Sequence, residues 1–160
     1  MQKRKIIKAV VFVLVVWVGF VMTRKTVLVD KSEEIDVLAR TIWGEARGEG
    51  VTGMQAVANV IINRVNAGIW YGRTVSEVCK KKYQFSCWLP SDPNYAKCQA
   101  VTIADNSFQN AMFLATKGIA GELEDITGGA NHYHASSIKP SWADATKVTA
   151  QIGNHIFYRL

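Results

Sequence analysis

Acidic residues are missing from the first 25 positions, where Lys3, Arg4, Lys5, Lys8, Arg24 and Lys25 stand unopposed. The 160-residue chain carries 19 Lys+Arg against 13 Asp+Glu, a net charge of +6. Setting those six basic residues aside leaves a balanced remainder, so the basic character belongs to the N-terminus alone. The rest of the chain therefore lacks the cationic face that nucleic-acid binding needs. Lys80-Lys81-Lys82 is its one local run, and a solvated loop accounts for it. Internal repeats are absent too, which excludes solenoids and propellers. Cysteine is scarce: Cys79, Cys87 and Cys98 fall in one 20-residue stretch. In an exported domain they allow one disulfide among three pairings, with one thiol left over, and the spacing does not choose. A thiol nucleophile needs a lowered pKa and a histidine beside it; neither is visible, so the cysteines read as structural.

What the N-terminus does have is an apolar run. Residues 9–22 (AVVFVLVVWVGFVM) hold no polar side chain, and Ile6 and Ile7 extend the run across Lys8. A positive start followed by such a run is a signal peptide or a signal anchor. No small-x-small cleavage motif follows, so residues 1–25 are expected to be an uncleaved anchor. Counted from Ile6 to Met22, a helix spans roughly 25 Å, slightly under a hydrocarbon core of about 30 Å. Lys8 can reach the interface by snorkelling. A buried core helix is disfavoured, because no polar face exists to meet water. The heavier basic cluster keeps the N-terminus in the cytoplasm. The expectation is a single pass through the inner (cytoplasmic) membrane, with the remainder exported to the wall side.

Residues 26–34 read as a tether and 35–160 as one domain. Ile35, Leu38, Ala39 and Ile42 recur at helical spacing and lead into Trp43-Gly44-Glu45. Gly48, Gly50 and Gly53 interrupt the pattern. A second helix starts at Thr52 or Gly53, runs through Met54, Val57, Val60, Ile61 and Val65, and stops at Ala67-Gly68. Thr74-Val75-Ser76-Glu77 has the form of a capping box. Residues 80–94, with Pro90 and Pro93, form a loop long enough to suggest a binding segment. Two helices follow between 94 and 117, broken near Ala104-Asp105-Asn106, and Gly118 and Gly121 close that region. Near the C-terminus, residues 148–152 and 155–158 flank Gly153-Asn154, a two-residue hairpin turn. His132–His134 supplies a possible third strand. The fold class is thus α+β: a mainly helical domain with a small C-terminal antiparallel sheet, preceded by one N-terminal transmembrane helix.

The chemistry concentrates in Trp43-Gly44-Glu45-Ala46-Arg47-Gly48-Glu49-Gly50. A carboxyl at the end of an apolar-faced helix is partly withheld from water, so its pKa rises and it can donate a proton at neutral pH. Glu45 is that group. Acid catalysis of glycosidic cleavage requires one. Glu49, four positions on, would sit beside Glu45 if the helix continued, but Gly48 argues against continuation, and Glu49 reads as a structural or substrate-orienting group. Flat rings and amides suit sugars, which makes Tyr83, Gln84, Phe85, Tyr133 and Trp142 candidate substrate-binding residues. Core packing explains Phe85 and Trp142 equally well. A competing reading sets His132 and His134 on one side of a strand with His155 as third ligand to zinc.

The ordered set of motifs resembles the SleB-type cell-wall hydrolases, a group of spore cortex-lytic and phage muralytic proteins. It comprises GEARGEG at 44–50, AVANVIINRV at 56–65, YQFSC at 83–87, GANHYH at 129–134, PSWA at 140–143 and IGNHIFY at 152–158. The resemblance covers roughly residues 35–159 and implies a lysozyme-like domain that cleaves the glycan of peptidoglycan. It also implies that the first Glu of GEARGE, here Glu45, is the catalytic acid. The best-understood members are similar to lytic transglycosylases, so cleavage of the MurNAc–GlcNAc bond by a transglycosylase or muramidase is expected, with no cofactor and no metal. Peptidoglycan is the expected partner, together with the membrane through the N-terminal helix, and the chain is expected to be monomeric. The alternatives are a zinc-dependent N-acetylmuramoyl-L-alanine amidase and an inactive wall-binding anchor. A short chain with a marginal anchor and no separate wall-binding module also resembles endolysins held in the membrane and later released.

Overall fold

The computed structural model describes residues 31–68 and 70–160. The anchor expected over 1–25 lies outside the described residues, as does most of the tether. Residues 31–34, assigned to the tether by sequence, are already helical. Among the described residues no helix is long and apolar enough to cross a membrane.

Helix α1 covers residues 31–46 and ends at Glu45-Ala46. Its buried positions Val37, Leu38, Thr41 and Ile42 follow the helical spacing read from the sequence. The helix breaks where expected. Ala46 leaves helical geometry (φ −139°, ψ 15°), a 3-10 turn covers Arg47–Glu49, and Gly50 redirects the chain at φ 70°, a conformation costly for residues with a Cβ. Helix α2 (Gly50–Ala67) therefore starts at Gly50, earlier than the Thr52 or Gly53 expected.

Helix α2 is the centre of the molecule, apolar on more than one side because it meets two partners. Met54, Val57, Ala58 and Ile61 join α1, α3 (Val75–Lys80) and α5 (Asn106–Ala120) in the main core. Ala56 and Val60 face the other way, onto Phe157 and Ala130. Each fully buried Leu, Ile or Phe in these clusters contributes about 1.5–3 kcal/mol. Side-chain amides tie the next segment down: Asn59 donates to Glu124 O at 3.0 Å and accepts from Ile126 N at 3.1 Å.

The expected capping box forms by half. Thr74 accepts from Glu77 N at 3.1 Å, while Glu77 accepts from Arg73 N rather than closing on Thr74. The long loop contains a 3-10 turn, Ser86–Trp88, pinned to α1 by a hydrogen bond from Trp88 Nε1 to Thr41 Oγ1 at 2.9 Å. Helix α4 (Tyr95–Ala100) and α5 are the pair expected between 94 and 117, the second capped by Asp105. Strands β1 (His132–Ala135), β2 (Val148–Ile152) and β3 (His155–Tyr158) form an antiparallel sheet in the order β1-β3-β2. His132 pairs with Tyr158 and Tyr133 with Phe157. By strand alternation, Tyr133, His155 and Phe157 share one face, and His132, His134 and Tyr158 share the other.

Candidate active site

Glu45 stands on the last turn of α1 between half-buried Gly44 and buried Ala46, which hold the turn close to the core. Gly44 makes that closeness possible. A Cβ there would lie 2.8 Å from Cys98 Sγ and 2.9 Å from Cys87 Cβ, so the two cysteines pack directly on the helix backbone. All three cysteines are free and buried. The Cys87 thiol hydrogen-bonds Cys98; that bond and burial push Cys87 up, and the same bond holds Cys98 down. Burial raises Cys79 to about 12, which keeps that thiol protonated at neutral pH.

The Tyr133 hydroxyl, on β1, donates to Glu45 Oε2 at 3.0 Å. Burial is the largest influence on Glu45 and raises its pKa above the usual 4.5. Hydrogen bonds from Tyr133 and from the Cys87 thiol oppose the rise, while the charge of Asp92 adds to it. The net effect is upward, which is the condition for a carboxyl that keeps a proton near neutrality. Tyr133 is itself raised well above 10 by burial and by the neighbouring Glu45, so it stays a phenol and acts as donor. Its ring is fixed by stacking on Phe157 (5.7 Å) and by an edge contact with His155 (5.2 Å).

Arg64 was not among the sequence candidates. It is 7% exposed, with Nε donating to Asn131 O at 2.8 Å and Nη1 to Gln84 Oε1 at 2.9 Å. Its guanidinium lies over the rings of Tyr71 (5.5 Å) and Phe85 (5.4 Å). One buried cation therefore joins α2, the 83–86 loop and the start of β1, and its charge reaches Glu45 and Tyr133. The signal was present in the sequence: a lone arginine falls in the buried helical phase set by Val57, Val60 and Ile61.

The other candidates separate. Gln84 is held by Arg64, in the same network as Tyr133. Phe85 is 3% exposed in the main core, where its apolar surface is taken up by packing, the alternative that the sequence left open for it. Tyr83 is 75% exposed. Trp142 packs on His132, His134 and Tyr158, the sheet face opposite Tyr133, and so does not join the Glu45 site. Glu49 does not lie on a continuation of α1. Its Oε2 accepts from Asn154 N at 2.9 Å and its Oε1 from Asn154 Nδ2 at 3.1 Å. Those bonds lower its pKa. Gly53 and Gly153 clear the space, since a Cβ at either would collide with Glu49. The second acid of the motif thus clamps the β2–β3 turn.

The zinc reading is also corrected. His134 bonds Tyr158 OH at 2.8 Å on one sheet face, whereas His155 packs against Tyr133 on the other. Alternation along paired strands forbids the three rings from converging. Among the described residues no group of three His, Cys, Asp or Glu side chains can hold a metal ion. A pocket of about 310 Å³ opens between Asn63, Asn66, Ala67, Gly129, Asn131 and Arg159, and neither Glu45 nor Tyr133 lines it.

Residues 48–158 match the model of the Cell Wall Hydrolase family. The chain belongs to that family. The match begins just past Glu45, but related proteins align over more of the chain. It is 30% identical over 125 residues to a spore cortex-lytic enzyme of Halalkalibacterium halodurans, covering 78% of this chain and 34% of that protein. To the spore cortex-lytic enzyme of Oceanobacillus iheyensis it is 31% identical over 131 residues, covering 78% and 41%. The chain thus spans well under half the length of these relatives. The catalytic domain of the Bacillus cereus SleB protein superposes with a TM-score of 0.62 at 29% identity, covering 80% of this chain and 91% of that one. The catalytic domain of the germination-specific lytic transglycosylase SleB from Bacillus anthracis gives 0.60 at 31% identity, covering 79% and 93%. The helical domain with its three-stranded antiparallel sheet is that of this family of hydrolases.

Proposed function

We propose that this chain cleaves the MurNAc–GlcNAc bond of peptidoglycan as a lytic transglycosylase, with Glu45 as acid and then base. The observation that carries the proposal is the Glu45 carboxyl, raised by burial and held at 3.0 Å by the Tyr133 hydroxyl. In the first half-reaction Glu45 donates its proton to the glycosidic oxygen, and the C1–O bond breaks as positive charge develops at C1. In the second, the Glu45 carboxylate takes the proton of the same sugar's C6 hydroxyl while O6 bonds to C1. Ring closure within one molecule replaces attack by water and gains a large effective concentration. This route needs a single carboxylate. Glu49, the other acid of the motif, is occupied by Asn154, which favours the one-acid route over a two-carboxylate hydrolase. The likeness to a structure described as a lytic transglycosylase points the same way.

In this reading residues 1–25 anchor the protein in the inner membrane, 26–34 form the link, and 35–160 work on the wall side. Gln84 and Tyr83 contact the glycan. Mass spectrometry of fragments released from purified sacculi by the detergent-solubilised full chain tests the proposal. Anhydro-muramic ends are expected, and Glu45→Gln should reduce their release by roughly a hundredfold or more, the scale of a lost general acid. Reducing ends would replace the transglycosylase by a muramidase, free stem peptides would replace it by an amidase, and full activity of Glu45→Gln would end the reading.

A further inference from the structure

Two aromatic side chains stand largely in water. Trp70 is 80% exposed and Tyr83 is 75% exposed. Each is faced by an ammonium: Lys81 Nζ lies 5.5 Å from the Trp70 ring and Lys82 Nζ 4.9 Å from the Tyr83 ring. Lys81 also donates to the Trp70 carbonyl, so the turn carrying Trp70 and the turn carrying Tyr83 are held to each other. Tyr83 adopts φ 67°, the one non-glycine residue with positive φ among the described residues. A bulky side chain in the left-handed region is unfavourable and persists only where its surroundings impose it.

The next residue in each turn points inward to the same place. Tyr71 lies under the Arg64 guanidinium at 5.5 Å, and Gln84 Oε1 accepts from Arg64 at 2.9 Å. Arg64 also holds the Asn131 carbonyl at 2.8 Å, at the head of the strand that carries Tyr133 and its bond to Glu45. The exposed rings are therefore each one residue outside a buried cation shared with the candidate active site.

We infer that Trp70 and Tyr83, with Lys81 and Lys82, form a substrate platform beyond the bond being cut, gripping a glycan strand that carries anionic peptide side chains. The inference rests on the peptidoglycan reading above and adds the part of the polymer that is held. Flat exposed rings pack on the apolar faces of pyranose rings. The lysines concentrate positive charge locally on a part of the chain whose charges balance overall, and the carboxylates of stem peptides are the groups they complement. Rings alone would suit any neutral glycan; rings with ammonium groups select the peptide-bearing one.

Binding of the full-length Glu45→Gln chain to sacculi separates this from catalysis. Trp70→Ala and Tyr83→Gly, the latter keeping the backbone geometry at ease, should each weaken binding by about three- to tenfold. Lys81→Gln with Lys82→Gln should weaken binding to intact sacculi but not to sacculi stripped of stem peptides, and added salt should erase that difference. Unchanged affinity in both ring variants, with unfolding temperatures equal to the parent, would overturn the platform. So would an equal lysine effect on stripped and intact sacculi. Failure of the catalytic reading would show elsewhere, as wild-type chain that binds sacculi through these residues yet releases no fragments.

Discussion

Replacing Tyr133 by Phe removes one oxygen and leaves the rest of the site in place. The ring keeps its stacking on Phe157 and its edge contact with His155, so β1 should hold its position. What disappears is the 3.0 Å hydrogen bond to Glu45 Oε2. Tyr133 is a donor, so that bond favours the ionised carboxylate, and its loss lets Glu45 hold its proton to higher pH. A hydrogen bond to a charged acceptor is worth about 1.5–3 kcal/mol, and about 1.4 kcal/mol corresponds to one pH unit. The alkaline midpoint of kcat/KM, measured as initial turbidity loss of sacculi, should therefore move up by roughly one to two pH units. On the acid side, where both proteins hold the proton, rates should stay within a few-fold. Stability follows the same sign. The raised Glu45 gives stability that is present below 4.5 and lost as pH rises through its folded value, so the Phe variant should lose more on the alkaline side. An unmoved midpoint with uniformly reduced rates would refute the reasoning and make Tyr133 a substrate contact only.

Two further substitutions probe the scaffold. Glu49→Gln should cost about 1 kcal/mol at neutral pH in denaturant unfolding, because it weakens the clamp on Asn154 in a solvent-accessible place. Since those bonds lower the Glu49 pKa, its contribution is present above 4.5 and is lost as pH falls through the folded value, where wild type and variant should converge. Activity should drop only modestly; a fall of a hundredfold or more, the scale of a missing general base, would make Glu49 catalytic after all. Gly44→Ala should destabilise by roughly 1–3 kcal/mol through overpacking against Cys87 and Cys98, read as a lowered denaturant midpoint. An unaffected midpoint would mean that the thiols yield freely.

Much of the fold was legible because it rests on local signals. The spacing of Ile35, Leu38, Ala39 and Ile42, the Gly153-Asn154 turn and the break before Asn106 each depend on neighbours in the chain. Glu45 was legible for the same reason, as a carboxyl at a helix end next to a glycine-rich break. The partner of Glu49 was not, because it lies 105 positions away across the hairpin. Phe85 and Trp142 illustrate a different limit: an aromatic that packs in the core and one that meets a sugar have the same side chain, and only burial and sheet face separate them. The histidine pattern misled through strand parity. His132 and His134 do share a side, but the pairing of Ala135 with His155 sends the third ring to the other face. Arg64 was passed over because a lone cation in an apolar run looks like a surface interruption until its acceptors, Asn131 O and Gln84 Oε1, are seen.

The central claim concerns one proton, and it can be observed without turnover. With carboxyl carbons of glutamate isotopically labelled and Glu45 assigned by the Glu45→Gln variant, nuclear magnetic resonance reports its titration directly. A midpoint above the ordinary 4.5, moving higher in Tyr133→Phe, is the predicted result. A midpoint at or below 4.5 would mean that Glu45 has already given up its proton at neutral pH and would contradict its role as the acid.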